Sequence, residues 1–198
     1  MKKGLIGIIV VVVAVLGIYN FWKGNYNQMV TLDEGVKSQW AQVQNQYQRR
    51  LDLIPNLVAT VQGYAAHEAS VFTQVAQARA EAGGVVNIDS SVLEDPEAFK
   101  KYQAIQDNLS SSLQRLLAVQ ENYPELKANE NFMALQDELE GTENRIATER
   151  KRFNESAQEY NIFIRQFPRS IIANISGFRP KAYFEASAQA QSAPVVSF

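Results

Sequence analysis

Apolar residues first run together and then fall into helical steps. From Gly4 to Phe21 the chain is uncharged and mostly apolar, directly behind Lys2 and Lys3. After Lys23 the pattern changes to apolar residues three and four apart. Val36, Trp40, Val43, Tyr47, Leu51, Ile54, Val58, Val61, Ala65, Phe72 and Val75 follow such steps or their sums. This spacing predicts one apolar stripe on a helix that starts near Tyr26 and ends at Gly83-Gly84. Unbroken, it would cover about 55 residues and roughly 80 Å. Gly83 to Pro96 reads as a loop, and Asp95-Pro96 as a helix start with Asp95 the N-cap. A second stripe uses Phe99, Tyr102, Ile105, Leu109, Leu113, Leu116 and Leu117, and stops at Tyr123-Pro124. The third is the most regular: Phe132, Leu135, Leu139, Thr142, Ile146, Phe153, Ala157, Tyr160, Ile164 and Phe167, as in coiled-coil-like packing. Pro168 and Gly177 punctuate its end around a short apolar piece, Ile171 to Ile175. The small, polar residues from Glu185 predict a disordered tail.

The leading run predicts a membrane anchor. A hydrocarbon core about 30 Å thick needs roughly 20 helical residues, with about 17 as a lower limit. Leu5, Ile6, Ile8, Ile9, Val10, Val11, Val12, Val13, Val15, Leu16 and Ile18 form its apolar body, and Tyr19, Phe21 and Trp22 its aromatic end. Together the aliphatic residues favour insertion by roughly 5 kcal/mol. A cleaved signal peptide would have a shorter apolar region and a small-x-small site. This run is longer and ends in bulky aromatics, which points to a retained single-pass anchor. With no Cys in the chain, a lipoprotein anchor is excluded. Lys2 and Lys3 on one side against Lys23 on the other leave the N-terminus in the cytoplasm and export the body. The chain therefore divides into an anchor (1–23), a helical body (24–184) and a tail (185–198). The fold class is all-α: one N-terminal transmembrane helix followed by an elongated antiparallel helical bundle.

Charge narrows the partners. The chain has 19 Lys and Arg against 21 Asp and Glu, and three of the lysines flank the anchor, so the body is acidic. That argues against nucleic acid. The first stripe looks longer than the second, so part of it would lack a partner in its own chain. Self-association into a homo-oligomer is the expected remedy, with the lipid bilayer and other envelope proteins as further partners.

Candidate chemistry is sparse. Pro55 sits inside a helical pattern, so it cannot donate to the Leu51 carbonyl, and the expected result is a kink with a free backbone oxygen. Asp52 and Asn56 flank the gap, and Arg49 is close enough to pair with Asp52. Either this is a docking notch or flexing point, or it is a satisfied polar patch on an ordinary bent helix. His67, the only histidine, is followed by Glu68. It is either a pH-sensitive contact or an inert surface residue. One histidine cannot make the paired Glu-x-x-His set of a di-iron bundle. Asp137, Glu138, Glu140 and Glu143 read as a solvated acidic face before they read as a metal site. Glu149 and Arg150 interrupt the third stripe and, with Glu143 and Arg145, can form a buried polar layer that sets register, or they are solvated ends. Arg165, Arg169, Arg179 and Lys181 make a basic patch that faces solvent, acidic lipid or an acidic partner. No catalytic set, phosphate-cradling loop, metal or cofactor is called for, and an enzyme is not expected.

Several of these pieces resemble the LemA family. The resemblance lies in the anchor followed by Tyr26-Asn27, Val36-Lys37 and Trp40, then Asp52 to Val58, then Gly63-Tyr64-Ala65 with His67-Glu68. It continues at Thr142 to Ile146, Tyr160-Asn161, Phe167-Pro168, Gly177-Phe178 and Tyr183 to Glu185. Leu51 departs from it, where the family pattern has an aromatic. The resemblance implies a bacterial, single-pass, N-terminally anchored protein with a helical bundle domain and no established catalytic activity. The function expected is a membrane-anchored, self-associating scaffold that organises envelope proteins. The alternative is a sensor or binding module taking a peptide or lipid at the Pro55 bend, with Arg49, Asp52, Pro55, Asn56, His67 and Glu68 as its residues.

Overall fold

A computed structural model describes residues 2–185, and every element among them is helical. The tail expected from Glu185 falls, beyond that residue, outside the described segment. Helix α1 runs without interruption over Lys2–Gln62, about 90 Å at 1.5 Å per residue. Side chains from Leu5 to Phe21 are exposed, and burial begins at Met29. Gly24 and Asn25 continue the helix, so no loop separates the apolar run from the packed part. Polar residues in this stretch do not break it because they bond within it: Asn20 Nδ2 donates to the Leu16 carbonyl and Asn25 Nδ2 to that of Phe21.

The predicted single helix to Gly83-Gly84 is in fact two. The chain turns over Gly63–Glu68, where the Tyr64 and Ala65 amides both reach the Val61 carbonyl, and α2 follows at Ala69–Val85. The apolar spacing bridges the turn because Val61, Ala65, Phe72 and Val75 feed the same core from both sides. Gly83 and Gly84 lie in the last turn of α2, not in a loop. A 3-10 turn at Ser90–Glu94 precedes α3, Pro96–Ala118. As expected, Asp95 caps α3, accepting from the Glu97 and Ala98 amides with Pro96 in the first turn. After a second 3-10 turn (Val119–Asn122) and the one-turn α4 (Pro124–Lys127), α5 spans Glu130–Arg165, capped by Asn129. A cis Phe167–Pro168 bond leads into α6, Arg169–Ser176. Gly177 ends α6 at φ +79°, a left-handed conformation that glycine adopts without strain.

Cross-links between elements give the arrangement. α5 runs back along α1, with Arg49 bonded to Glu138 near one end and Tyr47 to Arg150 further along, and Arg169, where α6 begins just past α5, reaches Asn25. α2 packs on α3, where Arg115 donates to Gln74, and touches α1, where Arg79 donates to the Leu51 carbonyl; Gln44 of α1 holds the Ile88 carbonyl just beyond α2. The body of the α1 stripe, Met29 to Val61, is therefore covered within one chain. The unpartnered segment expected from the stripe lengths is absent from the described residues, because the 36-residue α5 matches it. A ring cluster marks the centre: Trp40 lies 5.1 Å from Tyr102, and Phe99 4.8 Å from Phe184. Most of the α3 and α5 stripes are buried. Phe167 is not: it is 83% exposed, because the chain leaves α5 at Arg165.

Candidate functional site

The six residues proposed around Pro55 and His67 do not converge. Arg49 pairs with Glu138 across helices at 3.0 Å, while Asp52 accepts from Gln48 at 2.7 Å. α1 passes through Pro55 as helix, and the carbonyl that proline leaves without its usual donor is not free: Arg79 Nε on α2 donates to the Leu51 oxygen at 3.3 Å. The expected notch is thus filled from the neighbouring helix. Asn56 is exposed, and its carbonyl accepts from Thr60. His67 is exposed in the α1–α2 turn, and Glu68 accepts from the Tyr123 hydroxyl at 3.4 Å. Of the acidic group on α5, Glu138 and Glu143 pair with Arg49 and Arg50, and Glu140 accepts from Gln136.

A polar layer forms where α1, α3 and α5 meet. Its centre is Arg50, whose side chain is fully buried. It donates to Glu143 Oε1 at 2.9 Å, Ser110 Oγ at 2.7 Å and Gln106 Oε1 at 2.6 Å. One helical turn away, Arg150 donates to the Tyr47 hydroxyl at 2.7 Å and to Asp107 at 2.9 Å. Its guanidinium lies over the rings of Tyr47 and Phe184. Burial pushes the Tyr47 hydroxyl above its ordinary pKa, although the two nearby arginines oppose the shift. Of the four residues the sequence offered for such a layer, Glu143 and Arg150 join it. Arg145 is exposed and Glu149 pairs with Arg152, so neither joins the layer. Arg50, Gln106 and Asp107 were missed. The signal existed: Arg50 is three residues after Tyr47 and four before Ile54, on the buried face itself, and Gln106 is four after Tyr102.

Next to the layer, the chain from Phe178 to Glu185 is an extended strap held by side-chain amides. Asn161 donates to the Lys181 carbonyl and accepts from the Lys181 amide, both at 2.8 Å. Asn154 does the same for Phe184, and Gln103 for Glu185. The Ala182 amide reaches the Leu93 carbonyl at 2.7 Å. These pairs stand in for the neighbouring strand that an extended backbone otherwise needs. Phe184 anchors the strap in the ring cluster. Lys181, placed by sequence in an open basic patch, is buried, with Nζ 2.8 Å from Asp33 and 2.7 Å from Glu94. Burial works against the Asp33 charge, but hydrogen bonds from Lys181 and Lys37 outweigh it and hold the carboxyl below its usual range.

An open groove of about 740 Å³ runs beside strap and layer, lined by Ser110, Glu143, Arg150, Asn154, Tyr183 and Glu185 among others. Its size suits a ligand, but two of its charged groups are already engaged by residues behind its wall. Arg150 is bonded to Tyr47 and Asp107, and Glu143 to Arg50. The Ser110 hydroxyl on its wall lies 3.4 Å from Glu143 Oε2, but it also accepts from Arg50, which holds that same carboxylate. The arrangement is suited to holding helices in register and offering a polar surface.

The LemA family model matches residues 39–198, which includes the layer, the strap and the groove. The chain belongs to the LemA family. Among curated proteins, this LemA-family chain is 31% identical to Magnetosome protein MamQ of Magnetospirillum gryphiswaldense over 174 residues, 80% of the chain and 64% of the relative. It is 30% identical to Magnetosome protein MamQ 2 and to MamQ 1 of Paramagnetospirillum magneticum, over 81% of the chain and 64% of each relative. The chain thus spans just under two thirds of the length of these relatives.

Proposed function

We propose that this LemA-family protein is a non-catalytic scaffold, held in a membrane by a single span over 4–22, whose elongated antiparallel bundle presents polar helix faces to other envelope proteins. The supporting observation is the continuity of α1: one helix carries an exposed apolar run long enough to cross a bilayer and then the buried stripe of the body. A rigid root of that kind sets the direction of the body, which suits organising neighbours better than tethering an enzyme. The name of the MamQ relatives supplies a place, the magnetosome, and no reaction. By the charge flanks, the N-terminus lies in the cytoplasm and the body is exported. Association between copies belongs to the proposal through the span alone, since α5 covers the stripe that first suggested it. The binding reading at the Pro55 bend loses its main support, because Arg79 occupies the freed carbonyl.

Two experiments test this. Alkaline carbonate washing should leave the full chain in the membrane fraction, and its release would remove the anchor. In spheroplasts, added protease should digest the body. A protected body would reverse the orientation.

A further inference from the structure

Helix α6 lies at the foot of the body. Arg169 Nε bonds to Asn25 Oδ1 at 3.0 Å, and Phe178 meets Tyr26 edge-on at 5.6 Å. Asn25 is three residues beyond Trp22, about 5 Å along the helix axis. The inner face of α6, Ile172 and Ala173, is buried. Its outer face carries Ile171 and Ile175, 50% and 69% exposed, beside the exposed Asn174, and Phe167, just before the helix, is 83% exposed. A helix facing only water would place polar residues at the two isoleucine positions as well.

Charge singles out the same end. No Asp or Glu occurs from Tyr160 to Phe184 or from Asn20 to Leu32, while Lys23, Arg165, Arg169 and Arg179 fall in these stretches. Lys181 is not among the free charges, being paired with Asp33 and Glu94. Arg169 is fixed in place by Asn25, by Gln166 and by stacking on Phe163. Arg165 and Arg179 are exposed.

We infer that α6 is a second membrane contact: Phe167, Ile171 and Ile175 enter the interface beside the span, and Lys23, Arg165 and Arg179 sit among anionic lipid headgroups. This rests on the reading of the apolar run as a membrane span. An exposed apolar face flanked by basic residues is the pattern of an interfacial helix. Lipid fits better than a second copy, because an identical foot would bring the same positive charge to the patch. It also fits the level of the patch, at the point where α1 leaves the apolar run. The contact makes two attachment points, α1 and α6, so the body is held against tilting and rotation.

The chain has no cysteine, so single labels can be placed without altering the core. Ile175→Cys, Phe21→Cys and His67→Cys would each carry an environment-sensitive fluorophore in proteoliposomes of phosphatidylcholine and phosphatidylglycerol, with brominated lipid as quencher. The expected result is strong quenching at 175 and 21 and none at 67. Quenching at 175 should weaken when phosphatidylglycerol is omitted or when Arg165→Gln and Arg179→Gln are combined. Quenching at 21 without quenching at 175 overturns the α6 contact and leaves the span standing. A blue-shifted label at 175 that brominated lipid does not quench assigns the patch to a protein partner and likewise overturns it. No quenching at either position overturns span and contact together. Quenching at 175 that is indifferent to lipid charge and to the arginines overturns the headgroup assignment.

Discussion

Replacing Glu143 should cost more stability than replacing its partner Arg50. Arg50 is fully buried and Glu143 is 36% exposed. In Glu143→Leu the guanidinium stays in the core, and among the described residues Glu143 is the only carboxylate within ion-pair distance of it. Removing one member of a buried pair costs roughly 3–5 kcal/mol. Discounted for the part of Glu143 that water screens, about 2–3 kcal/mol remains. In Arg50→Met the buried charge itself is gone, and Glu143 can turn toward the groove and water. The loss is then mainly the hydrogen bonds to Gln106 and Ser110, and the net cost is about 1–2 kcal/mol. Adding Glu143→Leu to Arg50→Met should change little, a coupling of about 2 kcal/mol. The assay is urea unfolding of the full chain in mild detergent, followed by Trp40 fluorescence in a Trp22→Phe background, since these are the two tryptophans. Trp40 lies in the ring cluster beside the layer. Additive effects, or a larger cost for Arg50→Met than for Glu143→Leu, would refute the reasoning.

Three further outcomes are expected. Arg79→Met should destabilise by about 1 kcal/mol in the native chain but much less in Pro55→Ala, where a backbone donor returns to the Leu51 carbonyl; the same urea assay decides. Phe184→Ala should cost about 3–4 kcal/mol and expose the buried Lys181 to trypsin, which limited proteolysis reads directly; a Lys181–Ala182 bond equally resistant before and after would exclude the anchoring role. Because the folded pKa of Asp33 lies below the unfolded 3.8, its contribution is present above that value and lost as pH falls through the folded one. Asp33→Asn should therefore be less stable than the parent near neutral pH, and the gap should close in acid; a gap independent of pH would contradict the Lys181–Asp33 pairing.

Much of the architecture was legible because it rests on periodicity. The apolar run, the α3 and α5 stripes and the Asp95 cap could all be read from residue spacing. The α1–α2 break could not, since a turn whose two sides feed one core preserves the three- and four-residue steps. The closure of the Pro55 gap depends on Arg79, and no local pattern links residues 51 and 79. The strap was harder still, because its partners are amide side chains reading backbone. A trace was nevertheless present: Gln103, Asn154 and Asn161 each follow a buried aromatic, Tyr102, Phe153 and Tyr160. Lys181 was misplaced for a related reason. Sequence shows a lysine among arginines, whereas Asp33 and Glu94, which bury it, are distant in the chain.

The central claim is that one unbroken helix crosses the bilayer and becomes the first helix of the body. Spin labels on single cysteines placed successively from 5 to 40, in proteoliposomes, test it most directly. The predicted profile has its greatest lipid depth near Val12 and Val13 and reaches water close to Asn25. Immobilisation with a three- to four-residue period should set in from Met29, with no fast-moving labels between. Water access at 10–15, or rapid tumbling at 23–27, would contradict it.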